Sequence, residues 1–281
     1  MPQSKVPALE TDRRYVAALA RGLALLQCFG YQERWLSHQE LTRRSRLPKA
    51  TVSRLAYTLL QLGYLAQNSE TGEYGMGAGG LTLGFRVLTH VEVSGAARAV
   101  MEELAAYSQA AVSLGVRQQT SMVYIAHSRG QGRLTLSLDV GARIPMVDTS
   151  MGRAFLFALP EDRRALLYRQ LEEQLQGQWT EKRAALTRAM KQYRRDGFVT
   201  SLDEWESDVS AVGAALDLGD GREPYAINIG GPSSSLTEAR LREDLGPRLV
   251  AAAQRIQSII RSGDLGGQHA PMPGRRPAYD G

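Results

Sequence analysis

The 281-residue chain has a single cysteine, Cys28, and only four histidines, at positions 38, 90, 127 and 269. A lone cysteine excludes an intramolecular disulfide and any cysteine cluster for zinc. Histidines this scattered suggest no ligand set, and no HExxH, Walker or GxSxG pattern occurs. No run of about 18 apolar residues is present, so no helix is expected to span a membrane. The start, MPQSKVPALETDRR, offers no apolar signal segment. These absences predict a soluble, cytoplasmic chain that is not an enzyme and holds no metal or cofactor.

Negative charge is scarce near the front. Between Arg34 and Arg54 the one acidic residue is Glu40, against Arg34, Arg43, Arg44, Arg46, Lys49 and Arg54. Residues 1–90 hold 11 Lys and Arg against 6 Asp and Glu, whereas residues 91–281 hold 23 of each, so the net +5 lies wholly in the first third. Such a cluster suits a polyanion, the plain alternative being a solvated face. The length implies one small module and one medium one.

Within the small module, Val16, Leu19, Leu23, Leu26 and Phe29 recur at helical spacing, predicting a packing helix that ends near Gly30 with Cys28 beside its stripe. The run Ser37-His38-Gln39-Glu40 has the form of a capping box, Ser37 taking the Glu40 N–H and Glu40 reaching back. This second helix runs to about Arg44 or Ser45 with Leu41 inward. Pro48 then disfavours helical geometry at Leu47 and suits the first turn of a third helix. In LPKATVSRLAYTLLQLGYL the buried face is Val52, Leu55, Ala56, Leu59, Leu60 and Leu62. Lys49, Ala50, Thr51, Ser53, Arg54 and Tyr57 point outward, mostly from the first two turns. After Gly63, YLAQNSETGEYGM reads as two short strands around a Glu-Thr-Gly turn, with Tyr64, Leu65 and Tyr74 packing.

Three helices and a hairpin make a winged helix-turn-helix, in which the second helix of the motif presents its N-terminal residues to base edges. Arg54 is the candidate for a guanine and Lys49 for a phosphate; Arg21, Ser37 and Asn68 complete the DNA-binding set. A small helical domain acting through protein contacts is the alternative. Gly75, Gly77 and Gly80 satisfy G-x-G-x-x-G, but they follow a polar hairpin instead of a buried strand, which fits glycines that loosen a junction better than a dinucleotide site.

In the medium module, residues 96–110 have a helical period. AVSLGVRQ and MVYIAHS form paired strands around Gln119-Thr120-Ser121, and LTLSLDVG forms a third. Helices follow near 149–158 and 161–172, then TEKRAALTRAMKQYRRDG. Strands near 198–202, 209–217 and 224–230 come next, with a turn at Gly219-Asp220-Gly221, and an amphipathic helix over 237–261 closes the domain. Strands in runs with helices against one face imply an α+β fold with an antiparallel sheet. The acidic trio Asp203, Glu204 and Glu206 reads as solvated, and His127 as a rim or core residue.

Separated segments now add up to a resemblance. Leu19-Ala20-Arg21-Gly22-Leu23, Leu47 to Leu55, Leu62-Gly63-Tyr64-Leu65, Gly141 to Pro145, Thr149 to Ala154, Gly197-Phe198 and Ile227 to Pro232 closely resemble the IclR-type (isocitrate-lyase-regulator) bacterial transcription regulators over roughly residues 15–261. The resemblance implies a winged helix over 15–76, a linker helix over 77–95 and a GAF-like α/β effector-binding domain over 96–261. Outside them lie an N-terminal tail, 1–14, and a disordered tail, 262–281. It further implies a homodimer or homotetramer that binds double-stranded operator DNA and a small organic acid. By the same resemblance the effector pocket involves Met146, Asp148, Met151, Gly152, Ser201, Trp205, Val209, Ala211, Asn228 and Gly230, with helix-start N–H groups beside Met151 and Gly152 facing a carboxylate. Where keto-acid-binding members carry an aspartate, a cysteine and two serines, this chain aligns Ser201 or Leu202, Ala211, Asn228 and Gly230. Thinner polar anchors beside Met146, Met151 and Trp205 imply a larger, more apolar ligand such as an aromatic acid.

Overall fold

The computed structural model describes residues 13–30, 33–90, 92–130, 138–219 and 221–262. The chain divides into two units, Met1–His90 and Val91–Gly281. Most of the strand expected over 134–141, and the two tails beyond residues 13 and 262, lie outside the described residues.

In the first unit, α1 (Ala17–Leu26) packs on a different stripe from the expected one. Leu25 and Cys28 are buried with Leu26 and Phe29 against the core, while Val16, Leu19 and Leu23 are 62%, 63% and 52% exposed. The inward face is 22-25-26-29, where Gly22 stands beside the Leu55 side chain. The Cys28 thiol donates to the Ala24 carbonyl at 3.4 Å, and burial pushes its pKa up. Only the thiolate attacks disulfide reagents. The folded protein is therefore expected to resist Ellman's reagent and to titrate one thiol per chain in denaturant; prompt reaction without denaturant would mean that α1 detaches.

Helix α2 (His38–Ser45) is capped by Ser37 Oγ, which accepts from the Glu40 N–H at 3.1 Å. The expected return arm is replaced, because the Glu40 carboxylate takes Arg43 Nη2 at 2.6 Å and Arg44 Nε at 2.7 Å. Arg46, at φ 56°, ends the helix. Pro48 stands immediately before α3 (Lys49–Gln61), which buries Val52 and Ala56 and packs Leu55, Leu59 and Leu60 on the core. Leu62, expected inside, is 62% exposed, since the helix has ended and Gly63 turns out at φ 73°.

Strands β1 (Leu65–Gln67) and β2 (Tyr74–Met76) pair antiparallel to form the wing, and α4 (Ala78–His90) follows. The glycines here tighten the junction, correcting the expectation that they loosen it. A Cβ on Gly75 would sit 2.9 Å from the Arg34 carbonyl and the Trp35 ring, and one on Gly77 would fall on the Gly63 carbonyl. Gly77 N–H donates to Tyr64 O at 2.8 Å and Gly79 N–H to Gly63 O at 2.9 Å.

The second unit opens with α5 (Glu92–Ser108), β3 (Ala111–Gln118) and β4 (Ser121–Ser128), the last two joined at Gln119-Thr120. Then come β5 (Arg143–Pro145), α6 (Ser150–Ala158), α7 (Glu161–Leu175) and α8 (Trp179–Asp196). Strands β6 (Phe198–Leu202), β7 (Val209–Leu216) and β8 (Tyr225–Pro232) follow. The closing helix is interrupted, with a π-helical turn at Arg240–Leu245 leading into α9 (Gly246–Ser262).

The six strands form one antiparallel sheet in the order β5-β4-β3-β8-β7-β6. Helices cover both of its faces, correcting the one-face expectation: α5 and α9 pack on one, α6 and α8 on the other. The strands say why, for Ala111 to Gly115 and Ala226 to Gly231 are buried without a break, the pattern of a strand covered on both sides. Gly115 and Gly213 let α6 descend onto its face. A Cβ on the first would strike Met151 Sδ, and one on the second the Ser150 carbonyl.

Candidate functional site

Two features carry chemistry, one in each unit. On α3, Lys49, Ala50, Ser53, Arg54 and Tyr57 are exposed and Thr51 is half-buried. Lys49, Arg54 and Arg46 make no ion pair among the described residues, so their charge is free for a polyanion. Arg43 and Arg44, counted in the same cluster from the sequence, are spent on carboxylates. Arg44 is gripped by both Glu33 oxygens and by Glu40, and also donates to the Cys28 carbonyl at 3.1 Å. The two guanidiniums hold the Glu40 carboxyl down at about 2.

Other DNA-binding candidates have structural duties. Ser37 caps α2. The Asn68 carboxamide oxygen accepts from the N–H groups of Glu70 and Thr71, shaping the wing turn. The Ser53 hydroxyl lies 2.9 Å from His38 Nε2 and 3.1 Å from the Lys49 carbonyl, which ties α2 to the start of α3. Arg21 is exposed on α1. His38 was missed because only the fold brings it to Ser53.

The second feature is a narrow cleft with a volume of about 20 Å³, lined by Tyr124, Ile144, Thr149, Ser150, Ser201, Trp205, Val209, Ala211, Asn228 and Gly230. The sheet register explains most of this company. Asn228 pairs with Ser113 and Gly213, Gly230 with Ala211, and Ala211 with Ser201, so these side chains alternate onto the face that meets α6. Six expected residues, Ser201, Trp205, Val209, Ala211, Asn228 and Gly230, are brought together there.

The other four lie elsewhere. Met146 and Met151 are 1% and 0% exposed in the core, where Met151 fills the space that Gly115 leaves. Asp148 is 2.7 Å from Lys182 Nζ, and its carbonyl accepts the Ser201 hydroxyl at 2.7 Å. The Gly152 N–H is taken by the helix cap, Thr149 Oγ1, at 3.2 Å, so it does not face a ligand.

Tyr124 and Ile144 were not foreseen, whereas Thr149 and Ser150 fall within the loop and helix start, Met146 to Gly152, that the resemblance implied. Tyr124 reaches the cleft wall through a bulge, for Leu114 pairs with Ala126 and Gly115 with Tyr124, leaving Ile125 extra. A bulge leaves no mark in the alternation of a single sequence. Thr149 and Ser150 did carry a signal, a Thr-Ser pair ahead of an apolar helix.

Two polar atoms on the wall, Ser150 Oγ and Asn228 Oδ1, are enclosed without a hydrogen-bond partner. Ser150 and Asn228 are 0% and 6% exposed. Above them the loop of the acidic trio is fastened down: Glu204 chelates buried Arg153 at 2.7 and 2.6 Å, and Asp203 accepts the Ser233 hydroxyl.

Comparison with known proteins finds a family match in each part of the chain. The IclR helix-turn-helix domain model matches residues 18–69, and the model described as bacterial transcriptional regulator IclR C-terminal matches residues 85–258. The HTH-type transcriptional regulator TsaQ1/TsaQ2 of Comamonas testosteroni is 34% identical over 255 residues, spanning 90% of this chain and 91% of the relative. The crystal structure of an IclR family transcriptional regulator from Brucella abortus superposes with a TM-score of 0.78 at 38% identity, covering 91% of this chain and 96% of that one. An IclR homolog from Microbacterium hydrocarbonoxydans, solved in complex with 4-hydroxybenzoate, shares the fold at 19% identity and a TM-score of 0.69, over 87% of this chain and 99% of that one. The chain belongs to the IclR family of bacterial transcriptional regulators, with a helix-turn-helix DNA-binding domain ahead of an effector-binding domain.

Proposed function

We propose that the first two turns of α3 read an operator in double-stranded DNA, and that an aromatic or other organic acid in the cleft modulates this binding. The observation that carries the effector reading is the pair of enclosed, unpartnered atoms, Ser150 Oγ and Asn228 Oδ1. Each such atom costs about 1–3 kcal/mol, which a ligand that hydrogen-bonds to it recovers. Ser150 begins α6, and the partial positive charge of a helix start favours a carboxylate. Tyr124, Ile144, Trp205, Val209 and Ala211 offer apolar surface to a ring. The 4-hydroxybenzoate of the Microbacterium homolog has both parts.

The division of labour follows the sequence boundaries: a reader over 15–76, a connecting helix over 77–95 and an effector domain over 96–261. We take the working form to be a cytoplasmic homodimer or homotetramer. Val16, Leu19 and Leu23 on α1, and Leu81, Leu83 and Phe85 on α4, are all more than half exposed, and apolar faces of this kind call for a cover. Among the described residues no helix is long and apolar enough to cross a membrane.

The test is fluorescence anisotropy with DNA from upstream of the protein's own gene, titrated with salt and with a panel of aromatic and short aliphatic acids. Affinity is expected to fall steeply with salt and to change with one acid. Asn228→Leu is expected to weaken that acid at least tenfold, about the worth of one buried hydrogen bond. Salt-insensitive or absent DNA binding would favour a module that works through protein contacts.

A further inference from the structure

As it stands, the cleft is too small for an aromatic ring. Its volume is about 20 Å³, room for about one water, whereas a benzene ring needs a cavity on the order of 150 Å³. Part of the wall therefore has to move before an aromatic acid enters. The sheet side is fixed, because its lining residues stand on β4 to β8, each strand hydrogen-bonded to a neighbour. The start of α6 is fixed as well. Thr149 Oγ1 donates to the Pro145 carbonyl at 2.6 Å and accepts from the Gly152 N–H at 3.2 Å, and the Ser150 carbonyl closes on Gly213. Trp205 is the one lining residue outside the strands and the capped start of α6.

Trp205 is carried by residues 203–208, the segment that crosses from β6 to β7. Asp203 and Asp208, at its two ends, have φ of 54° and 66°, a left-handed conformation that aspartate tolerates better than most residues. These two positions turn the chain out of the sheet and back into it. Backbone bonds close the ends: Asp203 N–H donates to the Val209 carbonyl at 3.1 Å, Val209 N–H to the Glu206 carbonyl at 3.2 Å, and Ser233 N–H to the Asp208 carbonyl at 2.9 Å. Two side-chain latches hold the segment down. Asp203 accepts the Ser233 hydroxyl, and Glu204 grips the buried Arg153 at 2.7 and 2.6 Å. The Trp205 side chain packs half-buried against the core. Lifting the segment therefore breaks a few local contacts and leaves the sheet ladder intact.

We propose that Trp205 is the specificity-determining residue of the cleft, carried on a strap, 203–208, that lifts to admit the ring of the effector. The proposal rests on the reading of the cleft as the effector site. An indole is larger than a single aromatic ring, so its withdrawal clears the room that one ring needs, and an acid with a fused ring system is refused. Opening gives up the Glu204 carboxylate at Arg153, so the strap is closed in most molecules and binding waits for the open ones. Lifting it also uncovers the two enclosed atoms, Ser150 Oγ and Asn228 Oδ1.

Stopped-flow mixing with 4-hydroxybenzoate, followed by tryptophan fluorescence, is expected to give an association rate that levels off at high ligand concentration, the plateau being the opening rate. The plateau should rise by about tenfold or more in Glu204→Gln, which loses the ion pair, and by a smaller factor in Ser233→Ala. By titration calorimetry, Trp205→Ala is expected to narrow the Kd ratio of 6-hydroxy-2-naphthoate to 4-hydroxybenzoate about tenfold. An association rate that climbs in proportion to ligand and ignores both latch variants overturns the strap, and an unchanged Kd ratio overturns the role of Trp205. Hydrogen exchange of the ligand-free protein separates the strap from the choice of acid. Residues 203–208 are expected to exchange while β7 and β8 are still protected, and to do so about tenfold faster in Glu204→Gln. If neither acid binds, the aromatic-acid reading fails and exchange decides the strap alone; a rate for 203–208 that Glu204→Gln leaves unchanged overturns it.

Discussion

Replacing Glu204 by glutamine is expected to destabilise the effector domain by about 3 kcal/mol, although Glu204 stands at the surface. Its partner explains the size. The Arg153 side chain is 3% exposed and that of Glu204 39%, so the pair sets a buried cation against an anion at the rim. Arg153 Nε donates to the Val147 carbonyl at 2.8 Å and Nη1 to the Thr200 carbonyl at 3.3 Å, while Nη1 and Nη2 hold the carboxylate. A guanidinium cannot escape by shedding its proton, and two carbonyl dipoles do not neutralise it. The value falls at the low end for a broken buried pair because the loop of Glu204 can admit some water. In an Arg153→Met background the same change should cost under about 0.5 kcal/mol, as at any exposed site. Urea denaturation of the four proteins in the cycle provides the measurement. A loss below about 1 kcal/mol, or equal losses in the two backgrounds, would refute the assignment of a buried charge to Arg153. Trp205, next in sequence and on the cleft wall, should show a red-shifted emission in Glu204→Gln, because the same salt bridge holds its loop over the cleft.

That salt bridge also marks where reading the sequence stops. Local rules located the elements: Ser37 and Thr149 cap helices where Ser/Thr precedes an apolar period, and Gly197 ends α8 at φ 76°. Each signal is contained in a few neighbouring residues. The rotation of α1 is not, because its inward face is set by packing on residues distant in sequence, Leu55 among them. Neither is the neutralisation of Arg44 by Glu33, without which the basic cluster looks larger than it is. In the cleft, the family resemblance pointed to Asn228, Gly230, Ala211 and Ser201, and the strand register sets them on one wall. Met146 and Met151 went astray because whether a methionine lines a cleft or fills the core depends on how close the helix comes. That distance is decided by Gly115 and Gly213 on other strands. Tyr124 was lost to a bulge, which shifts parity without changing composition.

Arg54→Ala is expected to lower affinity for the preferred operator by roughly 10- to 100-fold while changing affinity for unrelated DNA little. Lys49→Ala should weaken all DNA by a similar factor and reduce the salt slope by about one. Both residues are exposed on the first two turns of α3, but they offer different chemistry. A guanidinium can grip the two acceptors of a guanine edge at once, whereas an ammonium at a helix start is a point charge suited to a phosphate. The neighbours support this choice, for Ser53 is already bonded to His38 and to the Lys49 carbonyl, which leaves Arg54 as the long donor at that turn. Ala50, with no polar group of its own, lets the helix approach closely. Arg44→Ala distinguishes charge from architecture: its guanidinium is held by Glu33 and Glu40, so its removal should act through the stability of α2, with a salt slope close to that of the wild type. Anisotropy titrations of the three variants against operator and scrambled DNA at several salt concentrations separate these outcomes. Equal losses for Arg54→Ala on both DNAs would move base reading to other residues of α3, while a salt slope lowered by Arg44→Ala would return that residue to the phosphate-binding set.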